Sequence, residues 1–343
     1  MASYRNSDGL APSRKRLHFR AFADKNSFLF GMILVVSLAR AFPTLGANGS
    51  FLRPELVIAQ FGVSFIFLLM GLSIQALSNI KLISLIQFCT FGVWPFLVGI
   101  PLTKACTWLL PNALPKPLLD GLLILSCLPT TVNMCVILTS AAGGNVASSV
   151  CNAVLSNLMG IVVTPALLFH FFGSSIQLPF LEMCLKLCGK ILVPVALGQL
   201  LRSTIAGEFS QKYSGFFKRS QEFALLSILW NSFCTAFVQG FGIEIRHSLT
   251  LLALLPTLHV ASLATLFKIF SIPAIGLSRS DVIAGMFVAS HKTLAFGLPL
   301  ISTVFAGDVN LAAYSAPIML LFPLQLIIGS LLVPQLEIYT AKL

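Results

Sequence analysis

Ten long runs of apolar residues recur along the chain, and each has about the length that a helix needs to cross a bilayer. They cover residues 27–45, 57–74, 82–102, 122–141, 150–172, 183–201, 223–238, 249–270, 282–305 and 311–333. The strands of a membrane barrel would be shorter and would alternate in polarity. Because a spanning helix satisfies its backbone polar groups internally, the runs predict an all-α polytopic membrane protein with about ten transmembrane helices.

The composition excludes a water-soluble domain. Of the 343 residues, 57% are hydrophobic and 10% are charged, whereas soluble domains carry roughly 25% charged residues. No polar stretch is long enough for a second folded domain, so residues 27–343 are predicted to form a single transmembrane domain. The net charge of +11 is interpreted as a topology signal. The lipid bilayer is therefore an expected partner, and nucleic acid is not.

Basic residues are unevenly distributed between alternating loops. If residues 1–26 form a basic cytoplasmic tail, fourteen Lys and Arg lie on the cytoplasmic side and four on the opposite side. The positive-inside rule then predicts that both termini are cytoplasmic. A transit peptide is the alternative interpretation of the tail, although Asp8 and Asp24 argue against it.

The fourth and ninth runs resemble each other and lie five runs apart. Each carries polar residues near its middle, at 129–133 in one and at 290–293 in the other. Five spans is an odd number, so two related halves, about 27–175 and 180–336, would have opposite orientations in the membrane. Inverted repeats of this kind are common in secondary transporters, and paired helix interruptions predict a binding site at the membrane midplane.

Polar side chains near the middles of several runs are the candidate substrate-binding or ion-binding residues. Those at the two interruptions are Thr130, Thr131, Asn133, Ser290, His291, Lys292 and Thr293, and two midspan amides are Gln87 and Asn231. The alternative interpretation of each is a hydrogen bond to a neighbouring helix. A structural role is favoured for His291, which points about 100° away from Lys292 on a helix.

Lys292 is the most unusual of these residues, because a charge at the bilayer centre costs about 2.5–3.5 kcal/mol on insertion scales. None of the eleven acidic residues lies in the middle third of an apolar run, so the sequence offers no buried counter-ion. Three interpretations stay open. The side chain is an ammonium facing a water-filled cavity that receives a small anion, a neutral amine that carries protons, or a structural ammonium bound to backbone carbonyls.

Short motifs along nearly the whole chain resemble the bile acid:sodium symporter superfamily. They include Gly46-Ala-Asn-Gly49, Cys127-Leu-Pro129, Gly143-Gly-Asn145, Gly160-Ile-Val-Val-Thr164-Pro165, Ser290-His-Lys292-Thr-Leu and Gly329-Ser-Leu-Leu-Val-Pro334. The resemblance implies ten helices in two inverted five-helix repeats, with the fourth and ninth helices broken and crossing. It also implies a panel of two helices and a core of three helices in each half.

The resemblance also implies where ions would bind in sodium-coupled members: at the fourth-helix break, on a fifth-helix serine, on a third-helix glutamine and on a ninth-helix glutamate. Asn133, Ser149 and Gln87 fit the first three positions, but the stretch that would hold the glutamate ends in Lys292. We therefore expect a solute carrier that moves a small anionic solute with little or no sodium coupling. A sodium-coupled organic anion symporter is an alternative.

The motifs resemble one divergent branch of the superfamily more than its other members. This closer resemblance implies roles in intracellular calcium homeostasis and in glycoprotein and glycosaminoglycan production. It implies residence in the plasma membrane or in the secretory pathway, in the Golgi or the endoplasmic reticulum. These roles also suit a non-transporting regulator of calcium entry that contacts calcium-channel machinery. An enzyme is not expected, because metalloprotease motifs, midspan aspartate pairs and activated nucleophiles are missing from the sequence. No cofactor or metal site is predicted.

Overall fold

The computed structural model describes residues 27–54, 57–73, 80–109, 113–173, 180–202, 212–239, 244–305 and 308–341. These residues form helices joined by short turns, and no strand occurs among them. The prediction of an all-α chain is therefore confirmed. The tail at 1–26 lies outside the described residues, and so does most of the basic loop at 203–211.

The first five apolar runs form eight α-helices. They are α1 (Ser27–Ala41), α2 (Pro43–Gly46), α3 (Val63–Ser73), α4 (Ile80–Phe88), α5 (Ile100–Leu109), α6 (Lys116–Cys127), α7 (Val132–Ala141) and α8 (Val146–Phe172). Two π-helical stretches, Val57–Gly62 and Cys89–Gly99, precede α3 and α5.

The last five runs form seven α-helices. They are α9 (Phe180–Leu187), α10 (Val193–Arg202), α11 (Ser214–Gln239), α12 (Ile245–Phe270), α13 (Arg279–Ser290), α14 (Leu294–Val304) and α15 (Leu311–Ala341). A π-helical stretch, Cys188–Leu192, joins α9 to α10, and a short 3₁₀ helix, Pro273–Ile275, follows α12.

Six helical segments in the described part of the chain are long and apolar enough to cross a bilayer. A seventh span results if α6 and α7, which are bent by 64° at their break, count as one. A polytopic membrane protein is therefore supported by the structure. The number is smaller than ten partly because α1 and α3 contain 15 and 11 residues, fewer than the roughly 20 that span a bilayer unaided.

All helices except α9, which contacts α8 and the π-helical stretch Cys188–Leu192, pack in two groups. In the first, which we call the panel, α11 lies against α1, α2 and α3, and α10 lies against α3. The second, which we call the crossing group, contains α4–α8 and α12–α15, and in it α15 packs on α6, α7 and α12. Large buried side chains such as Phe287, Phe296 and Phe322 fill its interior. The polar interruptions of the fourth and ninth runs both belong to the crossing group.

Two panel helices, α3 and α10, approach each other so closely that the contact requires glycine. A Cβ atom on Gly198 would lie 2.9 Å from the Cα atom of Gly71, and a Cβ atom on Gly71 would lie 3.1 Å from the Cα atom of Gly198. Small residues commonly allow helices in membranes to pack backbone against backbone. The α3–α10 contact therefore depends on both glycines.

Replacement of Gly198 by alanine is expected to destabilise the panel by about 1–3 kcal/mol, the usual cost of overpacking. The matched control is Gly189→Ala, because a Cβ atom at Gly189 would meet nothing within 4 Å. Thermal unfolding of the detergent-solubilised protein should show a lower midpoint for Gly198→Ala alone. Equal midpoints for the two variants would contradict the close contact.

Candidate functional site

Two broken helices of the crossing group meet at their breaks. Residues 128–131 separate α6 from α7, and residues 291–293 separate α13 from α14. The backbone N–H of Thr293 donates to the carbonyl oxygen of Pro129 at 3.0 Å. The two sets of polar residues that the sequence singles out therefore lie side by side, deep inside the protein.

The second break is held by a buried amide side chain. The Lys292 N–H donates to Oε1 of Gln325 at 2.6 Å, and Nε2 of Gln325 donates back to the Lys292 carbonyl at 3.2 Å. The carbonyl of Ala289, which loses its helical partner at the break, accepts from the indole Nε1 of Trp94 at 2.8 Å. Buried backbone groups need such partners, so Gln325 and Trp94 make the interruption possible.

The first break is held by side chains of α8. The N–H of Thr130 donates to Oγ of Ser156 at 3.4 Å, and Nδ2 of Asn157 donates to the Thr130 carbonyl at 2.8 Å. Oγ1 of Thr164 donates to the Cys127 carbonyl at 2.9 Å. Pro129 has no N–H to satisfy. Besides the residues of the second break, α8 is therefore the helix that fixes the backbone of the first break.

The ammonium group of Lys292 lies at the C-terminal end of α6. Its Nζ atom donates to the carbonyls of Leu128 at 2.8 Å, Ser126 at 2.9 Å and Thr90 at 3.3 Å. The ring of Trp94 covers it, with its centroid 5.2 Å from Nζ. Because an ammonium has three N–H groups, all of its donors are used.

These contacts bear on the three interpretations of Lys292. The residue is 1% exposed, and no ion pair joins it to any carboxylate in the described part of the chain. The last carbonyls of a helix are unpaired and carry partial negative charge, so they stand in for the missing counter-ion. In this conformation the structure shows the Lys292 amine bound to backbone carbonyls and to no acid.

Both second half-helices begin at the crossing point. Thr131 precedes α7 and Thr293 precedes α14, and neither hydroxyl caps its own helix. The side chain of the half-buried Asn133, in the first turn of α7, makes no hydrogen bond within the described residues. Helix N-termini present free N–H groups and partial positive charge. Among the sequence-predicted residues, Thr131, Asn133, Thr293 and His291, whose buried Nε2 has no hydrogen-bond partner in the described part of the structure, are therefore the ones with unused polar groups at the breaks.

Ser290 and His291 are occupied by local contacts. Nδ1 of His291 lies 2.9 Å from Oγ of Ser290 and 2.9 Å from the Phe287 carbonyl. The His291 ring packs edge-on against the ring of His259, with centroids 4.9 Å apart. Both residues are fully buried. These contacts leave Nε2 of His291 buried without a hydrogen-bond partner in the described part of the structure, so the structural role favoured for His291 stays a prediction.

Gln87 and Ser149 belong to a second buried polar cluster, between α4, α7 and α8. Nε2 of Gln87 donates to the Asn152 carbonyl at 3.0 Å, and Oγ1 of Thr139 donates to Oγ of Ser149 at 3.2 Å. Oε1 of Gln87 and Oδ1 of Asn152 are buried and have no hydrogen-bond partner in the described part of the structure. The cluster therefore offers neutral oxygen atoms.

Asn231 lies in the panel, away from the two breaks of the crossing group. Its Nδ2 atom donates to the Gly46 carbonyl at 2.8 Å and to Oδ1 of Asn48 at 2.9 Å. These bonds tie α11 to the turn that follows α2. The structure thus does not bring Asn231 together with the other predicted site residues, and its bonds are those of a contact between helices.

Several residues that hold the breaks were not predicted. Gln325, Ser156 and Asn157 lie near the middles of their runs, so the midspan-polar signal that singled out Gln87 would have found them. Trp94 carries no comparable signal, because its bond to Ala289 depends on the packing of distant segments. Among the described residues, no group of three or more His, Cys, Asp or Glu is placed to hold a metal ion.

Comparison with known proteins relates this geometry to a family of transporters. The model of the SBF-like CPA transporter family matches residues 26–337. The chain is 33% identical over 325 residues to sodium/bile acid cotransporter 7 of Xenopus tropicalis, covering 91% of this chain and 92% of the relative. It is 33% identical over 326 residues to the protein of that name from Danio rerio, covering 91% and 94%.

The relative from Mus musculus, also called sodium/bile acid cotransporter 7, is 33% identical over 328 residues, covering 92% of this chain and 93% of its own. These matches span both helix breaks and both helix groups. They confirm the resemblance to the bile acid:sodium symporters that the short motifs indicated. The chain belongs to the SBF-like CPA transporter family.

Proposed function

We propose that the chain is a secondary transporter that moves a small anionic solute by alternating access, with little or no sodium coupling. Membership of the family makes it a solute carrier. The observation that carries the proposal is the Lys292 ammonium, which is buried between the two breaks and bound to carbonyls instead of a carboxylate. We infer that the amine is protonated, because three carbonyls surround its Nζ atom, and that a positive charge therefore lies at the crossing point.

Other groups at the crossing point support an anionic ligand. The first turns of α7 and α14 add partial positive charge, and helix N-termini are common anion sites. Thr131 and Asn133 offer side-chain hydrogen-bond donors beside them. Small solutes with a carboxylate, a sulfate or a phosphate group fit this combination of charge and donors.

The architecture that we propose consists of ten transmembrane helices in two inverted repeats, about 27–175 and 180–336. Its support is that the two breaks occur five runs apart and that each ends at a threonine preceding a second half-helix. The panel contains helices from runs one, two, six (α10) and seven, which gives two runs per half. Movement of the crossing group against the panel would provide alternating access.

Sodium coupling has weaker support. The Lys292 ammonium occupies carbonyls at the α6 terminus that would otherwise be available to a bound cation. Gln87 and Asn152 each leave one oxygen free, but hard cations such as Ca²⁺ take about six to eight oxygen ligands. A sodium-coupled organic anion symporter therefore remains the secondary alternative.

We further propose that transport of this solute supports calcium homeostasis and glycoprotein and glycosaminoglycan production, in the plasma membrane or the secretory pathway. The support is the similarity of the motifs to the divergent symporter branch. A regulator that acts on calcium-channel machinery through surface contacts would have the same cellular effects. A substitution of Lys292 distinguishes the two functions. The residue is buried, so its replacement should impair a transporter but leave the surface that a regulator would use unchanged.

Replacement of Lys292 by methionine is expected to lower anion uptake into proteoliposomes at least about tenfold, because it removes the charge that holds the anion. Lys292→Arg should retain part of the activity, since the planar guanidinium keeps the charge but fits the three carbonyls poorly. The matched control is Lys268→Met, which removes an exposed lysine of α12. Uptake is measured with radiolabelled anions at equal amounts of reconstituted protein.

The same variants separate transport from regulation in cells. A folded Lys292→Met protein that restores normal calcium handling in cells lacking the wild type would support the regulator and contradict the transporter. Thermal unfolding must accompany this test, because unpaired carbonyls at Ser126 and Leu128 would cost about 1–3 kcal/mol each.

Uptake is expected to be unchanged when sodium is replaced by an impermeant organic cation, because Lys292 supplies the positive charge that sodium would otherwise supply. The rate of uptake by the Gln87→Leu variant should be as independent of sodium concentration as that of the wild type. The measurement is the initial rate of uptake as a function of sodium concentration. A steep, saturable requirement for sodium would show that the proposed coupling is wrong.

Both termini and the loop between α10 and α11 are expected to face the cytoplasm, because fourteen basic residues then lie on that side. A protease site inserted near residue 207 should be cut in permeabilised cells or inside-out vesicles. Cleavage only from the extracellular or luminal side would show that the topology is the opposite of the one proposed.

A further inference from the structure

Two buried histidine rings beside the second break contain nitrogen atoms without partners. His291 belongs to the break and His259 belongs to α12, and their rings pack edge-on with centroids 4.9 Å apart. Nε2 of His291 and both ring nitrogens of His259 have no hydrogen-bond partner in the described part of the structure. Buried polar groups are normally hydrogen-bonded, so three unpaired nitrogen atoms at one contact require an explanation.

The contacts of His291 indicate which nitrogen carries the hydrogen in the neutral ring. Nδ1 lies 2.9 Å from the Phe287 carbonyl, which can only accept a hydrogen bond, so we assign the N–H to Nδ1. Nε2 is then a lone pair that no donor satisfies. The carbonyl of Gln325 faces the ring as well. The ring therefore has carbonyl acceptors for two N–H groups, as an imidazolium presents, whereas its neutral form has one.

The unpaired nitrogen atoms are closed to any ligand larger than a proton. His259 is 1% exposed, and His291 is fully buried. No group of three or more His, Cys, Asp or Glu in the described part of the chain is placed to hold a metal ion. A proton needs no cavity of its own, because it occupies a lone pair that already exists. The two rings are therefore suited to a proton, which would arrive when the crossing group opens to water.

The described surroundings of the two rings contain no acid that would balance an added proton. Cys135 on α7 donates from Sγ to the Phe287 carbonyl at 3.4 Å, and Lys292 lines a small cavity together with His259. The other segments packed on α13 are α4, α8, α15 and the stretch Cys89–Gly99, and their described residues contribute no ionisable group that interacts with either ring. A bound proton would therefore add a second positive charge beside Lys292.

An anion at the crossing point would supply the missing balance. His291 and Lys292 are neighbours in the break, directly before the start of α14 where we place the anion. An opposite charge nearby favours the protonated form of an imidazole. Such coupling is reciprocal, so an anion that favours protonation is itself bound more tightly by the protonated protein. The proton and the anion would then load together, which is the requirement for moving both in the same direction.

We propose that the His259–His291 pair binds one proton, and that this proton replaces sodium as the ion that drives transport. The proton binds to Nε2 of His291 while Nδ1 keeps its own hydrogen, and a lone pair of His259 is the alternative acceptor. The inference rests on the proposed function and deepens it, because it supplies the driving gradient that a sodium-independent transporter lacks. The chain is thus a symporter of a proton and a small anion.

The test uses the full chain in sodium-free proteoliposomes, with the membrane potential clamped at zero. Uptake of radiolabelled sulfate, phosphate and succinate is measured with and without an inward proton gradient, and protein-free liposomes give the passive background. If one proton accompanies each anion, a gradient of about one pH unit should drive about tenfold accumulation of at least one anion. A pH-sensitive dye in the lumen should report acidification when that anion is added outside.

Two variants and a matched control locate the proton. His291→Gln removes the titrating ring, and His259→Phe removes both unpaired nitrogens but keeps a ring, so each should abolish accumulation driven by the proton gradient. His259→Phe should fold, because the imidazole has no hydrogen bond to lose and an apolar ring of similar shape is nearly neutral or stabilising. The control is His247→Phe, which removes a buried histidine at the start of α12 and should accumulate the anion as the wild type does.

Thermal unfolding identifies the folded variants, and His259→Phe decides the question if His291→Gln does not fold. Uptake by the wild type that is the same with and without the proton gradient would overturn proton coupling and leave anion transport standing. If no anion enters the wild type under any gradient, anion transport itself fails and the proton site fails with it. Equal accumulation by the wild type and the folded histidine variants would overturn the role of the pair.

Discussion

The contact on which the rest of the site depends is that between the Lys292 ammonium and the last carbonyls of α6. Ser126 and Leu128 have lost their helical partners because the helix breaks after them, and the ammonium donates to both. A buried charge and unpaired buried carbonyls are each unfavourable alone. Together they offset each other, so that a fully buried lysine becomes compatible with two broken helices.

The remaining backbone groups of the breaks are satisfied by side chains from three other segments. Gln325 on α15 supplies both a donor and an acceptor, Trp94 supplies a donor, and Ser156 and Asn157 on α8 hold Thr130. Each break is thereby fixed to helices that are remote in sequence. This leaves the groups at the starts of α7 and α14 free for a ligand, which is the physical basis of the proposed transport site.

The sequence predicted the helical class, the positions of the two breaks and the burial of Lys292, because continuous apolar runs and a midspan charge are local signals. It did not reveal what Lys292 contacts, since Thr90 and Trp94 reach it through packing between distant runs. Asn231 is a residue for which the local signal was present but did not indicate a place in the site. Its midspan amide has the same local signal as Gln87, but tertiary packing places it in the panel, where it binds Gly46.

In the proposed mechanism, the positive charge of Lys292 holds an anion without the help of sodium. Thermal unfolding of the purified protein in sodium-free buffer, with a series of small carboxylates, sulfates and phosphates, measures this binding. We expect at least one anion to raise the unfolding midpoint of the wild type saturably and to have no effect on folded Lys292→Met. If no anion stabilises the wild type, or if the same anion stabilises both proteins equally, Lys292 does not hold an anion.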